Sequence, residues 1–402
     1  MPIPFDLHRR IPLVRRPFFQ RDQALRERDR AYGDLAEAER AHQEVLQQVR
    51  ADQQEAVRQR EQAMRDREQA MRDREQAMRD RDEAIAERER LLETDPWRKR
   101  VLPPEKERIL AAALPQALAS MGYFDASYFS TDAGQEVIES EVQSRLFWFR
   151  RRYVRWLASV ISLDGARILE IGAGTGNATI PLAEKGALVD AVDVNQACVE
   201  VARLRAELHG LEGRVQAHCA NAAEIAARFG KTAYDMVVYF AALEHMTYQE
   251  RLTTLEAAWG MLRAGALLCI ADTPNRLWYF DNHTSFANFF HWLPDEMAMD
   301  YAAKVDREGF NTAFRSRDAA SPEKLARWGR GVSYHEFELA IGPLDGLCVS
   351  GEWEYRRAKD ANWAAAWRNT LEGQFNAVLR AAAPNIPVEF LDPELALCLR
   401  KP

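Results

Sequence analysis

The chain has 402 residues, 47% of them hydrophobic and 29% charged, with a formal net charge of −7. That is ample apolar material for a large core, and the acidic balance excludes bulk attraction to nucleic acid or to an anionic membrane unless a local basic patch supplies it. Five cysteines (Cys198, Cys219, Cys269, Cys348 and Cys398) lie far apart in mostly apolar stretches, which argues against a disulfide framework and for a reducing, cytoplasmic setting.

Residues 1–20 form a basic, proline-rich and aromatic segment without the continuous apolar core of a secretory signal. Its stretch RRIPLVRRPFF at 9–19 suits peripheral contact with an anionic surface, or with a membrane enzyme at the inner membrane. Residues 21–93 are almost wholly Ala, Glu, Gln, Asp and Arg, without proline, and predict one long helix. Asp95-Pro96 ends it, so the segment is bounded as 21–95. The heptad EQAMRDR occurs at 61–67, 68–74 and 75–81. Its Ala–Met stripe supports a coiled coil, and hence self-association. The second seam position is Arg or Glu, and the Glu61–Arg65, Glu68–Arg72 and Glu75–Arg79 pairs equally support a single helix acting as a spacer.

Residues 96–163 read as a helical lead-in to a globular domain. In VIESEVQSRLFWFRRRYVRWLASVI, Leu146, Phe149, Tyr153, Trp156, Leu157 and Val160 recur at helical spacing, with Arg150, Arg151, Arg152 and Arg155 interleaved. The pattern predicts a helix packed on a sheet with its arginines in solvent; a membrane-surface helix is the alternative. From residue 164 to 402 short apolar runs alternate with helical stretches. RILEI, LVDAVDV, RVQAHCA, DMVVYF and LLCIAD are of strand length, and PVEFLDPELALCLRKP reads as a closing strand or hairpin. Such alternation predicts an α/β fold with a parallel sheet covered on both faces.

The chemistry concentrates in RILEIGAGTGNATIPLAEKG at 167–186. A strand ends at Glu170, Gly172, Gly174 and Gly176 follow, and a helix begins. Glycines there let the backbone turn sharply and approach a ligand. The next strand ends in Asp193 at the carboxyl edge of the sheet, where a carboxylate can accept both hydroxyls of a ribose. A nicotinamide-dinucleotide reading fits less well, because the third glycine follows the second by two residues rather than three.

EIGAGTG, AVDVN and YDMVVYFAALEHM together resemble the class I S-adenosylmethionine-dependent methyltransferases, closely over 165–275 and more loosely over 105–402. The resemblance implies a Rossmann-like, seven-stranded, mostly parallel sheet with one antiparallel strand, and S-adenosyl-L-methionine as cofactor. It implies that Glu170 and the backbone of Gly172, Ala173, Gly174 and Gly176 meet the methionine end, that Asp193 meets the ribose, and that Phe240 at the end of the fourth strand lies along the cofactor. Asn221 stands where the family often has an Asp bonded to the adenine amino group.

A substrate insertion is expected at about 275–337. DTPNRLWYFDNHTSFANFFHWLP at 272–294 follows the fifth strand and combines Asp272, Asn275, Arg276, Asp281, His283, Thr284 and His291 with many aromatics. That mixture suits a sugar, though it equally suits an aromatic subdomain core. With GRGVSYHEFELAIG at 329–342, it resembles methyltransferases of bacterial cell-surface glycan biosynthesis, which implies O-methylation of a sugar hydroxyl. An alcohol is poorly acidic, so a general base is useful. His283 is favoured, because Asp281 two residues earlier could orient it if the turn allows; His245, beside Glu244, His291 and His335 are the other candidates. Glu244, Asp272 and Asp281 supply some metal-ligand types but no dense cluster, so no metal is expected. Two other functions compete: a methyltransferase acting on a small metabolite, and a coiled-coil scaffold with a non-catalytic domain, which the intact glycine turn and Asp193 disfavour.

Overall fold

The structure, a computed structural model, describes residues 102–402 apart from 123, 222–223, 230–233 and 308, together with positions 21, 25, 26, 28, 33, 43, 47, 48, 54, 55, 58 and 62. The chain divides into two compact units, Met1–Asp95 and Pro96–Pro402. In the first, the described positions are helical and exposed, and Glu55 pairs with Arg58 one turn on, at 3.2 Å. The basic segment 9–19 and the identical heptads, apart from Gln62, lie outside the described residues. No helix among the described residues is long and apolar enough to cross a membrane.

The second unit is built on seven strands: β1 (Arg167–Ile171), β2 (Leu188–Asp193), β3 (Val215–Cys219), β4 (Tyr234–Phe240), β5 (Leu262–Pro274), β6 (Cys348–Gly351) and β7 (Glu394–Arg400). Their order across the sheet is β3-β2-β1-β4-β5-β7-β6. The first five strands run parallel, and β7 runs antiparallel to both of its neighbours, β5 and β6. This is the mixed α/β sheet implied by the class I methyltransferase resemblance. The strand β6 was not apparent as an apolar run; four residues with one serine carry too little pattern.

Both faces of the sheet are buried. Along β4, Met236, Val238 and Phe240 face one core while Val237 and Tyr239 face the other, the two-residue alternation of a pleated strand. The first core is closed by the 132–160 segment, whose Leu146, Phe149, Tyr153, Trp156 and Leu157 are buried against the sheet. This settles the segment as a core helix rather than a membrane-surface one. Arg151 and Arg155 are exposed as expected, but two of its arginines depart from expectation. Arg150 is buried and makes a two-pronged contact with Glu184 at 2.7 and 2.8 Å, and Arg152 lies 3.1 Å from both Glu352 and Glu394. Two π-helical turns, Ser140–Ser144 and Arg150–Val154, interrupt this helix. The extra residue in each rotates the side chains that follow and lets apolar and charged groups both find partners. The second core is closed by the Tyr248–Met261 and Tyr334–Ile341 helices through Leu255, Ala258 and Phe337.

Candidate active site

The glycine turn is set by a strand that stops and a chain that must reverse. Gly172, Gly174 and Gly176 have φ values of +78°, +53° and +86°, a region that favours glycine. At Gly172 an added Cβ would lie 2.5 Å from Cβ of Ala242, so no side chain fits. Asp193 fastens the turn: its Oδ2 accepts the Gly174 N–H at 2.8 Å and its Oδ1 the Asn195 N–H at 2.8 Å. A carboxylate has about four acceptor positions, so Asp193 retains acceptor capacity beyond its backbone bonds. Burial pushes the Asp193 carboxyl above its ordinary value. Glu170 lies beneath the turn, fully buried, and its Oε2 accepts the Thr179 hydroxyl at 2.6 Å; burial raises it to about 8. Ala173 is buried inside the turn, and Phe240 packs its ring on Phe149 and Tyr153. Asn221 is exposed beyond β3 and accepts the Glu224 N–H at 2.9 Å.

Sequence reading did not foresee the support beneath this turn. Glu141, from the first π-helical turn, accepts Thr175 Oγ1 at 2.8 Å and Asn177 Nδ2 at 2.6 Å. Arg205 donates to the Thr175 carbonyl at 2.7 Å and to the Glu141 carbonyl at 3.0 Å. Both side chains are buried. The Pro104–Ser120 helix ends over the same region, where Asn195 donates to Ser120 Oγ at 2.8 Å.

A second group of polar side chains begins where β4 stops. Ala242, pressed against Gly172, is followed directly by a short turn, Leu243–His245. Arg251, buried in the next helix, holds that turn: it donates to the carbonyls of Leu243, Met246 and Glu244 at 2.9, 3.1 and 3.1 Å. Its remaining donors reach the Arg330 carbonyl at 2.8 Å and Glu336 at 3.1 Å. It therefore ties the β4 turn to the 329–337 segment, a role no local pattern announced. Segment 275–291 joins the same place. Arg276 donates its N–H to the Val332 carbonyl at 3.0 Å, and the Gly331 N–H bonds His291 Nδ1 at 3.1 Å.

The histidines divide three ways. His245 and His283 come together, with ring centroids 5.1 Å apart, and both are half-buried. Each places Nε2 3.9 Å from Oε1 of Glu244, which is wholly buried. Burial raises the Glu244 carboxyl to about 8, with the Asp272 charge adding to it. Burial likewise lowers His245 to about 4 and His283 to about 3, so both rings are neutral near pH 7. His335 is exposed on the Tyr334–Ile341 helix with its ring on Tyr334, outside this group.

Several expected roles change. Asp281 does not orient the His283 ring. Its Oδ1 accepts the backbone N–H groups of His283 and Thr284 at 3.0 and 2.7 Å, and it lies 3.2 Å from His291 Nε2. The two-residue spacing makes a turn and leaves the ring elsewhere. Asn275, Asp281, Thr284 and His291 are buried in internal contacts, so these polar groups organise the insertion rather than line a pocket. Asp272, with φ +57°, faces Tyr153 Oη at 3.3 Å. The aromatics split. Trp278 and Phe290 are buried, while Phe280, Phe286, Phe289 and Trp292 are exposed.

Residues 168–265 match the family model described as a methyltransferase domain. A ubiquinone biosynthesis O-methyltransferase of Xanthomonas campestris pv. campestris is 29% identical over 193 residues, covering 48% of this chain and 70% of the relative. Among solved structures, the CcbJ methyltransferase from Streptomyces caelestis is 23% identical with a TM-score of 0.29, over 34% of this chain and 59% of that one. Magnesium protoporphyrin IX methyltransferase from Synechocystis with bound S-adenosylhomocysteine is 21% identical with a TM-score of 0.30, over 38% of this chain and 71% of that one. The chain carries a class I S-adenosylmethionine-dependent methyltransferase domain. It is an S-adenosylmethionine-dependent methyltransferase, and S-adenosyl-L-methionine is its cofactor.

Proposed function

We propose that the enzyme methylates a hydroxyl oxygen of a sugar in a bacterial glycan or glycan precursor. The carrying observation is the junction at Ala242: the turn bearing Glu244 and His245 starts against the cofactor glycine Gly172, and His283 arrives there from beyond β5. Gly172, Ala173, Gly174 and Gly176 frame the cofactor's methionine end, with Glu170 fixing the turn from beneath. Asp193 accepts its ribose hydroxyls, and Asn221 and Phe240 border its adenine and methyl-donor sides. When bound, S-adenosylmethionine supplies an electrophilic methyl group that an incoming oxygen displaces, the carbon–sulfur bonding pair staying on sulfur. The chain's own task is to hold the acceptor and remove its proton. The neutral His283 Nε2, half-buried beside Glu244, takes that proton when no other group occupies the cluster. The exposed rings of Phe280, Phe286, Phe289 and Trp292 offer flat apolar faces to the C–H groups of a pyranose. The helical segment 21–93 serves as a spacer or self-association element.

A small-metabolite hydroxyl is the second reading, favoured by the relatives named as ubiquinone biosynthesis O-methyltransferases. Incubation of the full chain with methyl-labelled S-adenosylmethionine and a panel of glycans and small phenols tests both. Label in a glycan ether is expected. Label confined to the phenols replaces the first reading with the second, and label on nitrogen or carbon overturns both.

A further inference from the structure

The group Glu244, His245 and His283 has an imbalance that its hydrogen bonds make explicit. His245 Nδ1 lies 2.8 Å from the Arg327 carbonyl oxygen. A carbonyl only accepts, so the proton of this neutral ring sits on Nδ1 and the lone pair on Nε2. His283 Nδ1 lies 3.1 Å from Thr284 Oγ1, whose own hydrogen goes to the Gly329 carbonyl at 2.8 Å. The Thr284 oxygen therefore accepts, and His283 too carries its proton on Nδ1 and a lone pair on Nε2. Both Nε2 atoms turn toward the same Glu244 Oε1 at 3.9 Å. That oxygen is fully buried and, among the described residues, finds no hydrogen-bond partner; Thr273 Oγ1 reaches the other one, Oε2, at 3.2 Å. Three electron-pair donors thus converge, their ligand atoms within 4.8 Å of one another. A buried acceptor left so is costly unless a cation meets it.

A proton on Glu244 answers only part of this. It forms one hydrogen bond, to one histidine, across a distance that is too long as it stands. A metal ion answers all three donors. Zinc-type ligand distances of about 2.0–2.2 Å put tetrahedral ligand atoms roughly 3.4 Å apart, so each Nε2···Oε1 separation of 3.9 Å needs to shorten by about half an ångström, and the ligand atoms already lie within 4.8 Å of one another. Histidines that bind metal through one nitrogen usually donate the other N–H to a carbonyl or similar acceptor, and both rings do that here. Two imidazoles and one carboxylate favour zinc, cobalt, iron(II) or manganese over calcium or magnesium.

We propose that Glu244, His245 and His283 hold one divalent transition-metal ion, leaving at least one open position for the acceptor hydroxyl. The inference rests on the reading of the cluster as the place where the acceptor's proton is removed. In it His283 serves as a ligand, and the ion acidifies the hydroxyl so that its proton passes to water at the half-exposed edge while the oxygen keeps the bonding pair.

The test uses full-length protein stripped with chelator and titrated with cobalt(II), read by visible absorption and by calorimetry. One equivalent per chain is expected, with the absorption bands of low-coordinate cobalt. Glu244→Gln and His283→Ala are expected to weaken binding at least about tenfold with unchanged circular dichroism, and the exposed His335→Ala to leave it unaltered. Wild-type protein that binds no cobalt, or the same affinity in wild type and both ligand variants, overturns the site. Hydroxyl methylation at an undiminished rate in metal-free protein overturns it too, while leaving the proposed function standing. Cobalt binding that depends on Glu244 and His283, in a protein whose methyl label never reaches a hydroxyl, does the reverse.

Discussion

The glycine turn after β1 and the short turn after β4 solve the problem of buried charge in opposite ways. Beneath the cofactor turn, Glu141 and Arg205 are both buried, and each is answered: Arg205 and Arg145 supply positive charge, Thr175 and Asn177 supply donors, and backbone carbonyls take the remaining guanidinium hydrogens. At the turn after β4, Arg251 is equally buried, but its donors go to backbone carbonyls and Glu336. Glu244, whose backbone it holds, keeps a carboxylate oxygen unanswered. A satisfied network rigidifies a frame; an unsatisfied group in a rigid frame is available for chemistry.

The comparison is broken most forcefully at Arg251. Arg251→Met leaves Glu336 buried without its cation and releases both the 243–246 turn and the 330–331 backbone. Loss of about 3–5 kcal/mol is expected, as for removal of one partner from a buried pair, read as a lowered urea midpoint. A loss below about 1 kcal/mol would show that the frame is held by packing instead. Next in size is Gly172→Val. The new Cβ collides with Ala242 and φ is left-handed, so cofactor affinity is expected to fall at least about tenfold, or roughly 1.4 kcal/mol, in calorimetry with S-adenosylhomocysteine. Unchanged affinity would mean that Ala242 and the turn part freely.

The smallest effect sharpens the contrast through pH. Burial tends to raise the Glu141 carboxyl, but Arg145, Arg205, Asn177 and Thr175 outweigh it and hold it below the ordinary 4.5. A depressed folded-state value means that Glu141 contributes stability above about 4.5, lost as pH falls through its lower folded value. Glu141→Gln is expected to lower the melting temperature near neutrality and to flatten the acid limb of the stability curve. Parallel acid limbs in the two proteins would show that Glu141 is not the group responsible.

Legibility in the sequence followed the range of each interaction. β1 to β5 and β7 were visible because apolar strand patterns are local; β6, with four residues, was not. Gly172, Gly174, Gly176 and Asp193 were visible because a strand–turn–helix places them by spacing alone. The Glu141–Arg205 support was hidden, since it joins residues 64 apart that read as ordinary helix charges. The pairing of His245 with His283 was hidden for the same reason. Asp281 misled because a two-residue spacing permits either a ring contact or a backbone turn, and the turn prevailed. Arg150 and Arg152 misled because interleaved arginines look solvated until a π-helical turn swings them toward carboxylates.

The placing of β7 has a consequence for how the molecule comes into being. Residues 394–400 lie between β5 and β6, and Lys401 ties back to the carbonyls of Trp259 and Leu262 at 2.7 Å each. During synthesis β1 to β5 emerge and can pair in turn, yet β5 keeps an open apolar edge until residues 394–400 leave the ribosome. For that interval β6 has no neighbour to join. An exposed strand edge of this kind invites pairing with other chains, so the nascent protein is most prone to aggregation just before its sheet closes.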